Sequence, residues 1–206
     1  NRRIVATGDQ PLYDQENGQS QLNHSSEAVV TTVSSGELID APECQVSFQR
    51  NPDENRYGNG EAEIIDIGIS ALNEKARYSF LHGEKYRFWM KVLFHTEISQ
   101  PIYAYTIKDV KGFDITGTNT YFQEIDTGTT IKGQIVQVFF DQKMMLNAGS
   151  YVMSFGCAGF QEGDYIVFDR RYDVISFEVA SFRESVGMFD LASKITVKTT
   201  NDPAYK

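Results

Sequence analysis

From about position 60 onward, apolar and polar residues alternate in short runs separated by Gly, Asn, Asp and Ser. A period of two marks a β-strand that buries one face. EAEIIDIGISAL at 61–72 sets Ile65, Ile67 and Ile69 on one side. GEKYRFWMKVLFH at 83–95 lies in a strand expected over 84–98. It sets Tyr86, Phe88, Met90, Val92 and Phe94 against Arg87, Trp89, Lys91, Leu93 and His95. PIYAYTIK at 101–108 predicts a strand with Tyr103, Tyr105 and Ile107 in the core and Ala104 outside, and GFDITGTNT at 112–120 a short one. GQIVQVFFD at 133–141 alternates Val136, Val138 and Phe140 with Ile135, Gln137 and Phe139. NAGSYVMSFGCAG at 147–159 aligns Tyr151, Met153 and Phe155, and DYIVFDRRYDVISFEV at 164–179 completes the set as two strands or one bent strand. Seven or so strands joined by turns predict an all-β fold, an antiparallel immunoglobulin-like β-sandwich. A faint helical period occurs only around Lys143–Leu146.

The first 45 residues or so break this pattern. They are rich in Gln, Asn, Ser, Thr and Glu, and Tyr13 and Phe48 are the only aromatics up to position 50. We expect a linker-like segment over 1–50 and a sandwich over 51–206. AVVTTVSS at 28–35 is the exception, since its β-branched residues suit an added edge strand. The chain opens on Asn and shows no signal peptide, so a larger parent protein is expected around it. The net charge of -9 and the lack of a basic run argue against nucleic acid and anionic membrane as partners. Cys44 and Cys157 read as free thiols of a reducing compartment, with one long-range disulfide as the alternative.

The motifs of catalysis are missing. His24, His82 and His95 do not stand at metal-ligand spacing, so no metal site is expected. There is no GxxxxGK[ST] to cradle phosphate and no GxSxG nucleophile elbow. Glu61, Glu63, Asp66, Asp164, Asp169 and Asp173 are too many in an acidic chain to mark a glycosidase pair. The expectation is a protein without catalysis of its own.

Binding chemistry centres on the only tryptophan. Trp89 lies on the second face of its strand, flanked at two-residue spacing by Arg87 and Lys91. A flat indole stacks on the C–H face of a sugar, while neighbouring cations donate to hydroxyls or to a phosphate. Gln137, Phe139 and Ser154 extend this candidate carbohydrate site. The alternative is that a loop, the N-terminal segment or a second subunit covers Trp89.

RYGNGEAEI at 56–64, PIYAYTIKDVKG at 101–112, GTNT at 117–120, NAGSYVMSFG at 147–156 and FEV at 177–179 follow one another in an order that is familiar. Over about 57–190 the chain resembles the C-terminal domain of Wzt, the nucleotide-binding subunit of ABC transporters that export lipid-linked O-polysaccharide. Related domains of teichoic-acid or other polysaccharide exporters are a near alternative. Ala104 departs from the glycine expected within PIYAY. The resemblance implies a cytoplasmic recognition domain at the inner membrane that reads the O-polysaccharide, often at a modified non-reducing end. It also implies a homodimer that exchanges C-terminal strands, and a membrane subunit as partner through the full-length protein. ATP and Mg would belong to the parent's nucleotide-binding domain, with no cofactor in this part. Rival readings are a secreted carbohydrate-binding module, an oligomerisation domain and a glycoside hydrolase fragment. The family fixes no sugar-contacting residues, and RYGNG and GTNT read as turn formers, with Gly58, Gly60 and Gly117 able to take positive φ.

Overall fold

The computed structural model describes residues 28–32, 54–72 and 77–199. Most of the linker-like segment, Cys44 included, lies outside the described residues. Twelve strands follow in order: β1 (Ala28–Thr32), β2 (Asn55–Tyr57), β3 (Ala62–Ala71), β4 (Ser79–Leu81), β5 (Lys85–Phe94), β6 (Ile98–Ser99), β7 (Ile102–Asp109), β8 (Asp114–Asn119), β9 (Thr129–Thr130), β10 (Ile135–Lys143), β11 (Gly149–Gln161) and β12 (Asp164–Ala180). There is no helix among the described residues, and Lys143–Leu146 runs out of β10 into an isolated bridge between Leu146 and Phe189.

Two sheets carry the fold. One has the order β1–β10–β5–β3, the other β2–β12–β11–β7–β8. Their neighbours pair antiparallel; β4 alone runs parallel, beside the end of β12. β6 and β9 form a small third ladder. The expected edge strand at 28–35 is β1, which pairs with β10.

The inward faces build one core, as the alternation predicts. Phe88, Met90, Val92 and Phe94 from β5 meet Tyr103, Tyr105 and Ile107 from β7, Met153 and Phe155 from β11, and Phe177 from β12. Aromatic rings bridge the sheets edge to face: Phe88 lies 5.0 Å from Tyr105, and Tyr105 lies 5.1 Å from Phe140. Each such pair adds about 0.5–1.5 kcal/mol beyond its burial.

Two irregularities shape the edge that β2 closes. Ile65 was expected to share the core face with Ile67 and Ile69. Instead Ile64 pairs with Val92 and Asp66 with Lys91, so Ile65 is the extra residue of a bulge and Ile64 takes the buried place. The bulge frees the backbone of Ile64, and two side chains satisfy it. The Asp169 carboxylate accepts from Ile64 N at 2.7 Å, and Arg171 donates to Ile64 O at 3.2 Å. Each is held in turn by β2 or the residue before it: Arg56 donates twice to Asp169, and Arg171 donates twice to Glu54. The second irregularity is in β12, which is one strand bent by register shifts opposite Ser154 and after Cys157. Asp173, at φ 51°, absorbs the first of these.

The two turn motifs act through the backbone. A side chain at Gly58 would place its Cβ 2.2 Å from Phe168 O, so only glycine lets β2 approach β12 so closely. Gly117 does not have the positive φ expected of it; its requirement is again space, because a Cβ would meet Tyr105 O at 2.6 Å. Asn119 accepts from Phe122 N at 2.7 Å, and Thr120 accepts from Tyr103 N at 3.1 Å.

Candidate functional site

Five of the six residues singled out in the sequence do share a face. Arg87, Trp89 and Lys91 of β5 stand beside Gln137 and Phe139 of β10, with Trp89 opposite Phe139 and Lys91 opposite Gln137. The middle of that face is closed. Trp89 has 0% of its surface exposed and Gln137 has 2%. Gly68 faces Trp89 on the other flank. Arg87 grips Asp141 through two bonds, at 2.5 and 2.7 Å, and lies 4.6 Å over the Phe139 ring. Lys91 stands 3.7 Å from Asp66. The indole is therefore not an open plate, and the flanking cations are committed to carboxylates of their own sheet.

Ser154 belongs to the other sheet and has a different task. Its hydroxyl accepts from Asp173 N at 2.9 Å and donates to Asp173 Oδ1 at 3.3 Å. It pins the bulge of β12.

The outer face around Ser154 is of another kind. Register places Tyr57, Arg170, Gly156, Ala104 and Asn119 side by side in one row across β2, β12, β11, β7 and β8. The next row brings Ser154, Thr106 and Gly117 together. Small side chains thus floor the middle of the sheet, with Ala158 continuing them along β11.

Large aromatics stand around this floor. Tyr57 stacks on Tyr172 with ring centres 5.9 Å apart and remains 43% exposed. At the far end Phe160 meets Tyr121 at 5.5 Å and Tyr165 at 5.7 Å. Two cations lean on Tyr172: Arg170 at 5.2 Å from the ring centre and Lys108 at 4.9 Å. A small-residue floor with aromatic walls and a few fixed polar groups is what a flat polar ligand such as a sugar requires. This site was missed in the sequence because its parts look unremarkable one by one. FDRRYDV read as the wet side of a strand, and only long-range register joins Arg170 to Gly156 and Ala104. The single available signal was the run of small residues at every second position of β11: Ser154, Gly156 and Ala158.

The described residues contain no group of three or more His, Cys, Asp or Glu side chains able to hold a metal. No described helix is long and apolar enough to cross a membrane.

The profile of the family described as the Wzt C-terminal domain matches residues 53–191. The chain belongs to the Wzt C-terminal domain family. A solved structure, titled as the crystal structure of the C-terminal domain of wzt, has 30% sequence identity to it and superposes with a TM-score of 0.68. That match covers 72% of this chain and 91% of the other. No curated protein matches the chain. The β-sandwich expected of a Wzt C-terminal domain is the one described above, and the departure at Ala104 is accommodated in the floor of the outer face.

Proposed function

We propose that this Wzt C-terminal domain is a non-catalytic recognition domain for the O-polysaccharide of its own transporter. The carrying observation is the outer face of the larger sheet, where the small floor between Tyr57, Tyr172 and Phe160 offers stacking surface and polar groups together. The glycan, read at its non-reducing end, would lie on this face in the cytoplasm, and its binding would couple chain completion to export. ATP hydrolysis and Mg would belong to the nucleotide-binding part of the transporter subunit, and the membrane subunit would be reached through it.

A dimer fits the C-terminal tail. Residues 186–190 dock on 145–147: Asn147 N donates to Met188 O at 2.9 Å, and Asp190 N donates to Met145 O at 2.8 Å. Beyond them Leu191, Ile195 and Val197 are at least 80% exposed. An extended, apolar segment without a ladder of its own suits strand exchange with a second copy.

The test is titration calorimetry of the chain with O-polysaccharide from its source strain and with an unrelated polymer. Saturable binding of the cognate polymer alone, lost in Tyr57→Ala with the fold intact, is expected. Binding of neither polymer, or equal binding of both, refutes the reading.

A further inference from the structure

Arg170, half-buried, differs from most cations of these two sheets; Lys85 and Lys143, at the exposed ends of β5 and β10, also lack a carboxylate partner among the described residues. Arg56, Arg87, Lys91, Lys108 and Arg171 all have a carboxylate within 4.0 Å. Arg170 has no carboxylate within that distance among the described residues, although the chain carries 28 acidic residues against 19 basic ones. Its side chain lies along the floor of the outer face. A Cβ added to Gly156 would stand 3.4 Å from Arg170 Cδ and 3.9 Å from its Nε and Nη1. The Arg170 side chain therefore packs over Gly156, with its guanidinium 5.2 Å from the centre of the Tyr172 ring. Tyr57 is its direct cross-strand neighbour, and Tyr172 is two residues along. Asp173, three residues along β12, is already engaged by Lys108 at 3.8 Å and by Ser154.

We propose that this face selects an acidic glycan, with Arg170 binding an anionic group on the sugar whose ring rests against Tyr57. A guanidinium presents two parallel N–H donors that match the paired oxygens of a carboxylate or a phosphate ester. Both groups share that chemistry. An anionic polymer is repelled on average by a protein chain of net charge -9, so Arg170 orients it as well as holding it. Lys108, paired with Asp173, adds a second positive charge at the edge of the floor. The inference rests on the glycan-binding reading of the same face and narrows it to one class of polymer.

The experiment compares three forms of the cognate polymer on the 206-residue chain: native, carboxyl-reduced, and dephosphorylated. Removing one of the two groups is expected to weaken wild-type binding ten- to hundredfold, the range for losing a charge-assisted hydrogen-bonded contact. Whichever treatment does so names the group. Arg170→Gln should bind the native polymer as weakly as the wild type binds the stripped one, and should lose the salt dependence of the wild type. Arg170→Lys should recover part of the affinity, and unchanged thermal unfolding of both variants excludes a folding defect. Wild-type binding that is indifferent to both treatments overturns the acidic-glycan inference and leaves glycan recognition standing. A native polymer that carries neither group and still binds does the same. No binding of the native polymer by the wild type overturns both.

Discussion

Glu54→Ala should damage this fold more than Arg171→Met, although Glu54 is the more exposed of the pair. The side chain of Arg171 is 1% exposed and that of Glu54 is 18%. Removing Glu54 strands a guanidinium that cannot reach water. Breaking a buried pair this way costs about 3–5 kcal/mol, and some water will follow into the vacated place, so about 3 kcal/mol is expected. Arg171→Met has a different balance. Glu54 turns to solvent, and the loss is the bond to Ile64 O, about 1–3 kcal/mol for a buried carbonyl left bare. Burial of the methionine returns about 1–2 kcal/mol, leaving a net cost near 1 kcal/mol. In the double variant the stranded charge is gone, so it should be no less stable than Arg171→Met alone. Urea unfolding at neutral pH, followed by circular dichroism and by Trp89 fluorescence, measures all four corners of the cycle. Additive costs, or a Glu54→Ala variant within 1 kcal/mol of wild type, would refute the reasoning that Arg171 needs this partner to stay buried.

Other outcomes follow from burial and charge. Trp89, the only tryptophan, should emit at short wavelength and resist acrylamide; an emission maximum like that of free indole in water contradicts the closed face. Burial, with Asp169 adding to it, pushes the Cys157 thiol up, so little thiolate forms. Mapping of alkylated peptides should find Cys157 unmodified in the native protein and modified in urea, and rapid native labelling would show that its enclosure fails. The bond from Arg56 holds the Glu63 carboxyl below its usual range, with a smaller share from His95. A depressed carboxyl contributes stability above its unfolded value and loses it as pH falls through the folded one. An NMR titration of Glu63 should therefore give a midpoint below the ordinary glutamate value of about 4.3; a midpoint at or above it removes this contribution.

Alternation made the long strands legible, because Tyr86 through Phe94 and Tyr103 through Ile107 each repeat at every second residue over a whole strand. It failed where the period itself breaks. Ile65 looks identical to Ile67 in sequence, and nothing local says that Asp169 and Arg171, more than a hundred residues away, will satisfy a bulge at Ile64. The candidate site failed to show for a related reason. A tryptophan between two cations is conspicuous in a string of letters, whereas Gly156 beneath Arg170 has meaning only after two strands are laid side by side. Conspicuous Trp89 proved to be closed in, and the candidate face is made of residues with ordinary neighbours.

β12 has a mechanical consequence. The chain passes from Glu54 into β2 beside Tyr172, β12 ends at Ala180, and β2 and β12 run antiparallel, so the start of β2 and the end of β12 lie toward the same side. Tension applied between those two ends therefore peels the short ladder rung by rung instead of shearing it as a block. The Glu54–Arg171 pair spans the first rung, where Asn55 stands opposite Tyr172. It works as a latch, so a pull on the segment before Glu54 loads that one ion pair before it disturbs the sandwich behind it.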